Sequence, residues 1–187
     1  MRAKKPNNGK LEVICGGMLS GKTEELIRRL RRAEIAKLNI AIFKPRLDKR
    51  FEDNKIVSHN KRVMNSITVT QCENILNGAE EYDIIGIDEA QFFENSLVEV
   101  CQKLIEKSKR VIVAGLDKDF RGNPFGPMPY LMAEADYVDK LRAICTICGS
   151  AASNSQRITK EIEKIIIGEK DKYEARCRSC YVKPTNT

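Results

Sequence analysis

Eight residues constrain this chain more than any others: Gly16-Gly17-Met18-Leu19-Ser20-Gly21-Lys22-Thr23. They fit G-x-x-x-x-G-K-[ST], a pattern that needs a strand before it and a helix after it. The glycines let the backbone turn tightly and aim successive N–H groups at phosphate oxygens. Lys22 is placed to reach the β- and γ-phosphates, and the Thr23 hydroxyl to ligate Mg²⁺. The following helix adds the positive end of its dipole. The flanks agree. Leu11-Glu12-Val13-Ile14-Cys15 reads as a short buried strand, and Leu26, Ile27, Leu30 and Ala33 have helical spacing. The run predicts a phosphate loop that takes a nucleoside triphosphate, and it is silent on the acceptor.

The rest of the chain continues the alternation. Residues 39–44 read as a second strand ended by Pro45. Residues 46–65 are polar and irregular, which predicts a long functional loop. It carries the chain's one histidine, His59, read as structural for want of a partner. A strand over 66–70 and a short helix over 73–78 follow. Residues 83–89 form an apolar run ending in Asp88-Glu89, the pattern of a buried parallel strand with acids at its carboxyl end. Leu97, Val98, Cys101, Leu104 and Ile105 predict a helix over 96–108, and residues 111–116 another buried strand. Alternating strands and helices predict an α/β domain with a mainly parallel sheet and ligands at the strands' carboxyl ends. Gly16, Asp88 and Asp117 all fall there. Tyr137, Phe92, Phe93, Phe120 and Phe125 read singly as core residues, with Phe92 and Phe120 also placed to stack on a base.

Asp88 is positioned to hold Mg²⁺ through water. Glu89 is then free to act as a base, on water in a hydrolase or on a hydroxyl in a kinase. Near the C-terminus stand two C-x-x-C pairs, Cys145/Cys148 and Cys177/Cys180, separated by 28 residues. Four thiolates make a closed tetrahedral zinc site, which is structural because no coordination position is left for substrate. Such a clamp pins the base of the 149–176 loop. Cys15, Cys72 and Cys101 read as packing residues. Seven cysteines and no secretion signal argue against a disulfide framework.

The 187 residues suffice for one ordinary domain with a small appendage. No apolar run is long enough to span a bilayer, and no signal-type segment follows the basic start of the chain. The reading is therefore a cytoplasmic protein with no membrane partner. A net charge of +7 raises nucleic acid as a partner. However, aromatics are only 6% and none interleave with Arg28, Arg29, Arg31 and Arg32, so the charge is read as surface and phosphate sites. An ATP-driven nucleic-acid motor would need two such domains. A GTP switch would need Asn-Lys-x-Asp, and Asn60-Lys61-Arg62-Val63 lacks the final Asp.

Taken together, Gly16 to Thr23, Asp88-Glu89-Ala90-Gln91-Phe92-Phe93, Leu116 to Gly122, Pro124-Phe125-Gly126, Asp171 to Cys177 and the cysteine pairs resemble the zinc-containing, tetrameric (type II) thymidine kinases of bacteria and animal cytosol. The resemblance runs from about Lys10 to Tyr181. It implies a P-loop NTPase-like (RecA-like) core over 11–140, a zinc-ribbon-like lasso domain over 141–182, and tails at 1–10, disordered, and 183–187. It implies transfer of the ATP γ-phosphate to the 5′-hydroxyl of thymidine or deoxyuridine in nucleotide salvage, with Glu89 as general base. Gly16 to Thr23, Arg50 and Asp88 to Gln91 would bind ATP, with Thr23 and Asp88 on Mg²⁺. Met18, Phe92, Leu116, Phe120, Ser155, Tyr173 and the backbone of Lys164, Ile165, Ile166, Ile167 and Gly168 would hold the nucleoside. Feedback inhibition by thymidine triphosphate and a homotetramer are implied as well. The chain departs from the family at Gly17, often Pro, at Leu19, often Phe, and at Ser155, where some members have Thr.

Overall fold

The strands carry a period-two alternation, and it decides which helix covers which face. In this computed structural model, residues 9–46, 55–57, 63–159 and 172–184 are described. Six strands form one sheet, in the order β5-β2-β6-β7-β1-β8. They are β1 (Lys10–Gly16), β2 (Ile40–Pro45), β5 (Ile67–Val69), β6 (Ile84–Ile87), β7 (Arg110–Leu116) and β8 (Tyr137–Leu141), and every pairing is parallel. A parallel sheet needs both faces covered. Leu11, Val13 and Cys15 of β1, with Val111 and Val113 of β7, bury against α2 (Glu73–Gly78), α3 (Leu97–Glu106) and α4 (Met128–Glu134). Their alternates Ile14, Ile112 and Ala114 bury against Leu26, Ile27, Leu30 and Ala33 of α1 (Lys22–Ile35). The mainly parallel α/β core expected from the sequence is present. Cys15, Cys72 and Cys101 are buried packing residues.

Two expectations are corrected, and two elements are new. Part of the 46–65 loop is a hairpin, in which β3 (Lys55–Val57) pairs antiparallel with β4 (Val63–Asn65). It forms because Ile56 buries in the α1-side core. Tyr137 is not a core residue. It is 59% exposed on the edge strand β8, with the Lys10 ammonium 5.4 Å from its ring. The strand β8 and the helix α4 carried no sequence signal. β8 is almost wholly exposed and exists because it pairs with β1, with Asp136 Oδ2 accepting the Leu11 N–H at 2.8 Å. Its Asp139 and Lys140 guard an open sheet edge. Pro127 and Pro129 stand at the start of α4, where proline is tolerated.

The C-terminal lobe is built from antiparallel pairs. β9 (Ala143–Ile144) pairs with β10 (Ala151–Ala152), and β11 (Asn154–Arg157) pairs with β12 (Tyr173–Arg176). Ala143, Cys145, Ala152, Ala175 and Cys177 form its small core. Among the described residues no helix is long and apolar enough to cross a membrane.

The arginines of α1 do not all face solvent. Arg29 donates to Glu25 at 2.8 Å, Glu12 at 2.9 Å and Asp139 at 2.6 Å. Glu12 lies buried within the sheet, with Lys10 at 3.0 Å and Arg110 at 2.7 Å as well. Burial alone would raise the Glu12 pKa, but the Arg110 and Lys10 hydrogen bonds prevail and hold it at about 2, below the ordinary 4.5. A depressed acid contributes stability above its unfolded pKa and loses it as pH falls through the folded one. Glu12→Gln should therefore cost about 3 kcal/mol at pH 7. In urea unfolding, its deficit against the parent should shrink as pH falls below 4.5 toward 2. A deficit independent of pH would mean that packing, not charge, is at stake.

Candidate active site

The phosphate loop joins β1 to α1 at the sheet's carboxyl edge. Gly16 has φ 143°, and a Cβ there would meet the Leu141 carbonyl oxygen at 2.4 Å, so this position must be glycine. Gly17 differs: a Cβ there makes only ordinary contacts, 3.5 Å or more away, so a larger residue fits. Leu19 takes the left-handed φ of 63° and packs on the C-terminal lobe's core. Ser20 Oγ donates to the Gly17 carbonyl at 2.8 Å, and Lys22 Nζ to the same oxygen at 2.9 Å. Gly21, at φ 86°, caps α1, whose first-turn N–H groups face the loop.

β6 delivers the acids. Asp88 is buried and accepts from Thr23 Oγ1 at 3.1 and 3.3 Å and from the Glu89 N–H at 3.0 Å. Burial first, and the Glu89 carboxylate second, push the Asp88 pKa up to about 7, against those hydrogen bonds. Burial likewise lowers the pKa of the Lys22 ammonium, while Glu89 and Asp88 draw it back up. The half-buried Glu89 sits at φ 53°, a left-handed conformation that non-glycine residues adopt only when the surroundings enforce it. Gln91 holds the Glu89 carboxylate. Its Nε2 donates to Glu89 Oε2 at 2.5 Å while its Oε1 accepts the Leu116 N–H at 2.9 Å. The buried Gln91 side chain thus ties the β6 acid to the end of β7. Nearby, Asp117 is buried with Lys140 Nζ at 2.7 Å.

An apolar and polar wall continues from this edge into the C-terminal lobe. Ser155 Oγ accepts the Met18 N–H at 2.9 Å, and Asn154 Oδ1 accepts from Lys118 Nζ at 2.6 Å. Phe92 meets Phe125 edge to face at 5.5 Å. Phe120 and Tyr173 are buried. The Arg157 guanidinium lies 3.6 Å from the Phe120 ring centroid, so one face of that ring is already covered. Arg50, His59 and the stretch from Lys164 to Gly168 lie outside the described residues, as do 1–8 and 185–187.

The four cysteines converge. All four Sγ atoms lie within 4.8 Å of one another, and Cys148 and Cys177 are 3.6 Å apart. That is far beyond a disulfide and close to the ~3.8 Å edge of a tetrahedron with ~2.3 Å metal–sulfur bonds. Each pair sits in a tight turn: the Gly149 N–H donates to the Cys145 carbonyl at 2.9 Å, and the Tyr181 N–H to that of Cys177 at 3.0 Å. The Cys177 N–H first, with those of Cys148 and Ile147, lowers the Cys145 pKa to about 6. Hydrogen bonding to the neighbouring thiols Cys177 and Cys148 raises that of Cys180 to about 12. One thiolate forms readily and the last resists, which a divalent cation would reverse. The cluster can hold a metal ion such as zinc.

Comparison with known proteins matches this geometry. A family profile described as "Thymidine kinase" covers residues 9–181. A thymidine kinase of Rhodothermus sp. (strain ITI 518) is 53% identical over 179 residues, which are 96% of this chain and 84% of that one. Those of Bacteroides thetaiotaomicron and Porphyromonas gingivalis are 50% and 51% identical over 175 residues each, 94% of this chain and 88% and 86% of theirs. This chain belongs to the thymidine kinase family. It is, by that membership, a nucleoside kinase.

Gln91, which sequence reasoning placed among the ATP contacts, has its side chain bonded to Glu89 and to the Leu116 N–H. The same reasoning missed Arg157 altogether: a lone arginine in the polar run 153–159 carries no motif. For the cysteines, freshly purified protein should carry about one zinc per chain, and Cys148→Ser well under one. Metal analysis alongside a thermal melt checks this. Undiminished zinc in the variant would place the metal elsewhere.

Proposed function

We propose that the chain transfers the γ-phosphate of ATP to the 5′-hydroxyl of thymidine or deoxyuridine. The observation that carries this reading is Glu89. It is a carboxylate fixed by Gln91 in a left-handed turn, one residue from the Asp88–Thr23 pair and at the same edge as the phosphate loop. Phosphoryl transfer asks for a phosphate cradle, charge neutralisation and a positioned base, with little covalent work.

The roles divide as follows. The N–H groups of Gly16 to Thr23 and the start of α1 cradle the phosphates, and Lys22 moves from the Gly17 carbonyl onto them. Ala90 and Gln91 complete that wall, with Arg50 as a further phosphate contact. Asp88 and Thr23 are the residues that would hold Mg²⁺. Their oxygens are already adjacent, and Asp88 is a buried acid that a cation would keep ionised. Bound there, Mg²⁺ would neutralise charge on the phosphates. Glu89 accepts the proton of the attacking hydroxyl. Met18, Phe92, Leu116, Phe120, Ser155, Tyr173 and the 164–168 backbone line the nucleoside pocket. Zinc on Cys145, Cys148, Cys177 and Cys180 is structural. It clamps a lasso domain over 141–182 onto a core over 11–140, with tails at 1–10 and 183–187. Contacts from Ser155 to Met18 and from Asn154 to Lys118 support that docking. A homotetramer in the cytoplasm, inhibited by thymidine triphosphate, completes the proposal.

The test is incubation with Mg²⁺-ATP and a nucleoside panel, with single-stranded DNA in a parallel tube. Thymidine should yield its 5′-monophosphate, and Glu89→Gln should lower kcat by about 10²–10⁴-fold while ATP still binds. ADP release driven by DNA, with no nucleotide product, would favour a nucleic-acid motor. Near-parental turnover in a folded Glu89→Gln protein would remove Glu89 as the base.

A further inference from the structure

Tyr173 and Arg157 face each other directly across the β11–β12 pair. Arg157 Nη2 donates to Tyr173 Oη at 2.6 Å, and Nε to the same oxygen at 3.2 Å. A guanidinium can only donate, so the phenol accepts in both bonds. Its own proton must therefore point elsewhere. Tyr173 is 8% exposed, and the phenol donates to no acceptor among the described residues. Buried hydroxyl donors are seldom left without a partner.

The same guanidinium lies flat enough on Phe120 to sit 3.6 Å from its ring centroid and 5.3 Å from that of Tyr173. Phe120 comes from the loop after β7, in the core, while Arg157 and Tyr173 belong to the C-terminal lobe. Tyr181 adds a second tie, its hydroxyl donating to the Phe120 carbonyl at 2.7 Å. Arg157 itself is buried. A buried guanidinium that stacks on one aromatic ring and donates twice to the hydroxyl of another fixes both rings at once.

Resting on the pocket proposed above, we infer that Arg157 is a positioning residue for nucleoside specificity. It clamps the Phe120 ring from behind. It also fills the acceptor side of the Tyr173 phenol, so that the phenol serves as a hydrogen-bond donor to an oxygen of the bound nucleoside. Arg157 need not touch the nucleoside.

The experiment is a double-mutant cycle on the full-length, zinc-loaded protein, reading KM for thymidine, KM for ATP and kcat separately. Arg157→Met should raise the thymidine KM about tenfold or more, the worth of one hydrogen bond, and leave the ATP KM within about twofold. Tyr173→Phe should do the same. The double variant should be no worse than either single by more than about twofold, because the two act as one unit. Arg157→Lys, which keeps the charge and a single donor but not the flat fork, should fall between Met and the parent. If Arg157→Met does not fold, Arg157→Lys carries the test through a thymidine KM that rises while the ATP KM does not. A thymidine KM within twofold of the parent in the arginine variants, equal rises in both KM values, or additive effects in the cycle would overturn the inference alone. A parent protein that phosphorylates no thymidine would overturn the pocket reading and this inference with it.

Discussion

All six strands of the main sheet run the same way, and the rest of the molecule depends on that. Parallel pairing leaves both faces apolar, so α1 must cover one and α2, α3 and α4 the other. It also sends every strand's carboxyl end to one edge. Gly16 after β1, Asp88 after β6 and Leu116 at the end of β7 meet there, although they are far apart in the chain. The gathering of these residues at one edge is thus a consequence of strand direction.

At that edge the governing problem is like charge in a dry place. Asp88 and Glu89 are adjacent carboxylates, and Lys22 is the ammonium beside them. Burial raises the pKa of the first acid and lowers that of the ammonium, so at this edge the charged form of each is disfavoured. The cysteine cluster poses the mirrored problem: backbone N–H groups favour a thiolate at Cys145 while the neighbouring thiols resist one at Cys180. Glu12 is the contrast. It too is buried, yet Lys10, Arg29 and Arg110 surround it, so the fold supplies its counter-charge and the site is structural.

The lobe and the core meet through few but specific contacts. Leu19 of the phosphate loop packs into the lobe's small core, and Ser155 accepts a loop N–H. Arg157 stacks on Phe120. The Gly16–Thr23 loop and the C-terminal lobe are therefore joined directly.

Much of this was legible in the residues. The phosphate loop has a fixed spacing because backbone geometry demands it. The Asp88-Glu89 pair closes an apolar run, the cysteine pairs have ligand spacing, and helices such as 73–78 and 97–106 follow from periodicity. Those features are local, so the chain itself determines them. The edge strand β8 was not legible, because its residues are almost all exposed and only β1 makes it a strand. Nor was the hairpin β3–β4, where Ile56 buries in the core and Met64 packs against it. The bonds of the Gln91 amide to the Leu116 N–H and to Glu89 were not legible either, because only packing brings the ends of β6 and β7 together. Arg157 had no signal at all, since its partners lie 16 and 37 residues away in sequence and only register and packing bring them to its guanidinium. What the sequence determined by itself was the chemistry available at each position. Which groups face one another, and so which of them are ionised, oriented or left with a proton to give, only the tertiary structure decided, because those properties depend on distance and burial rather than on order along the chain.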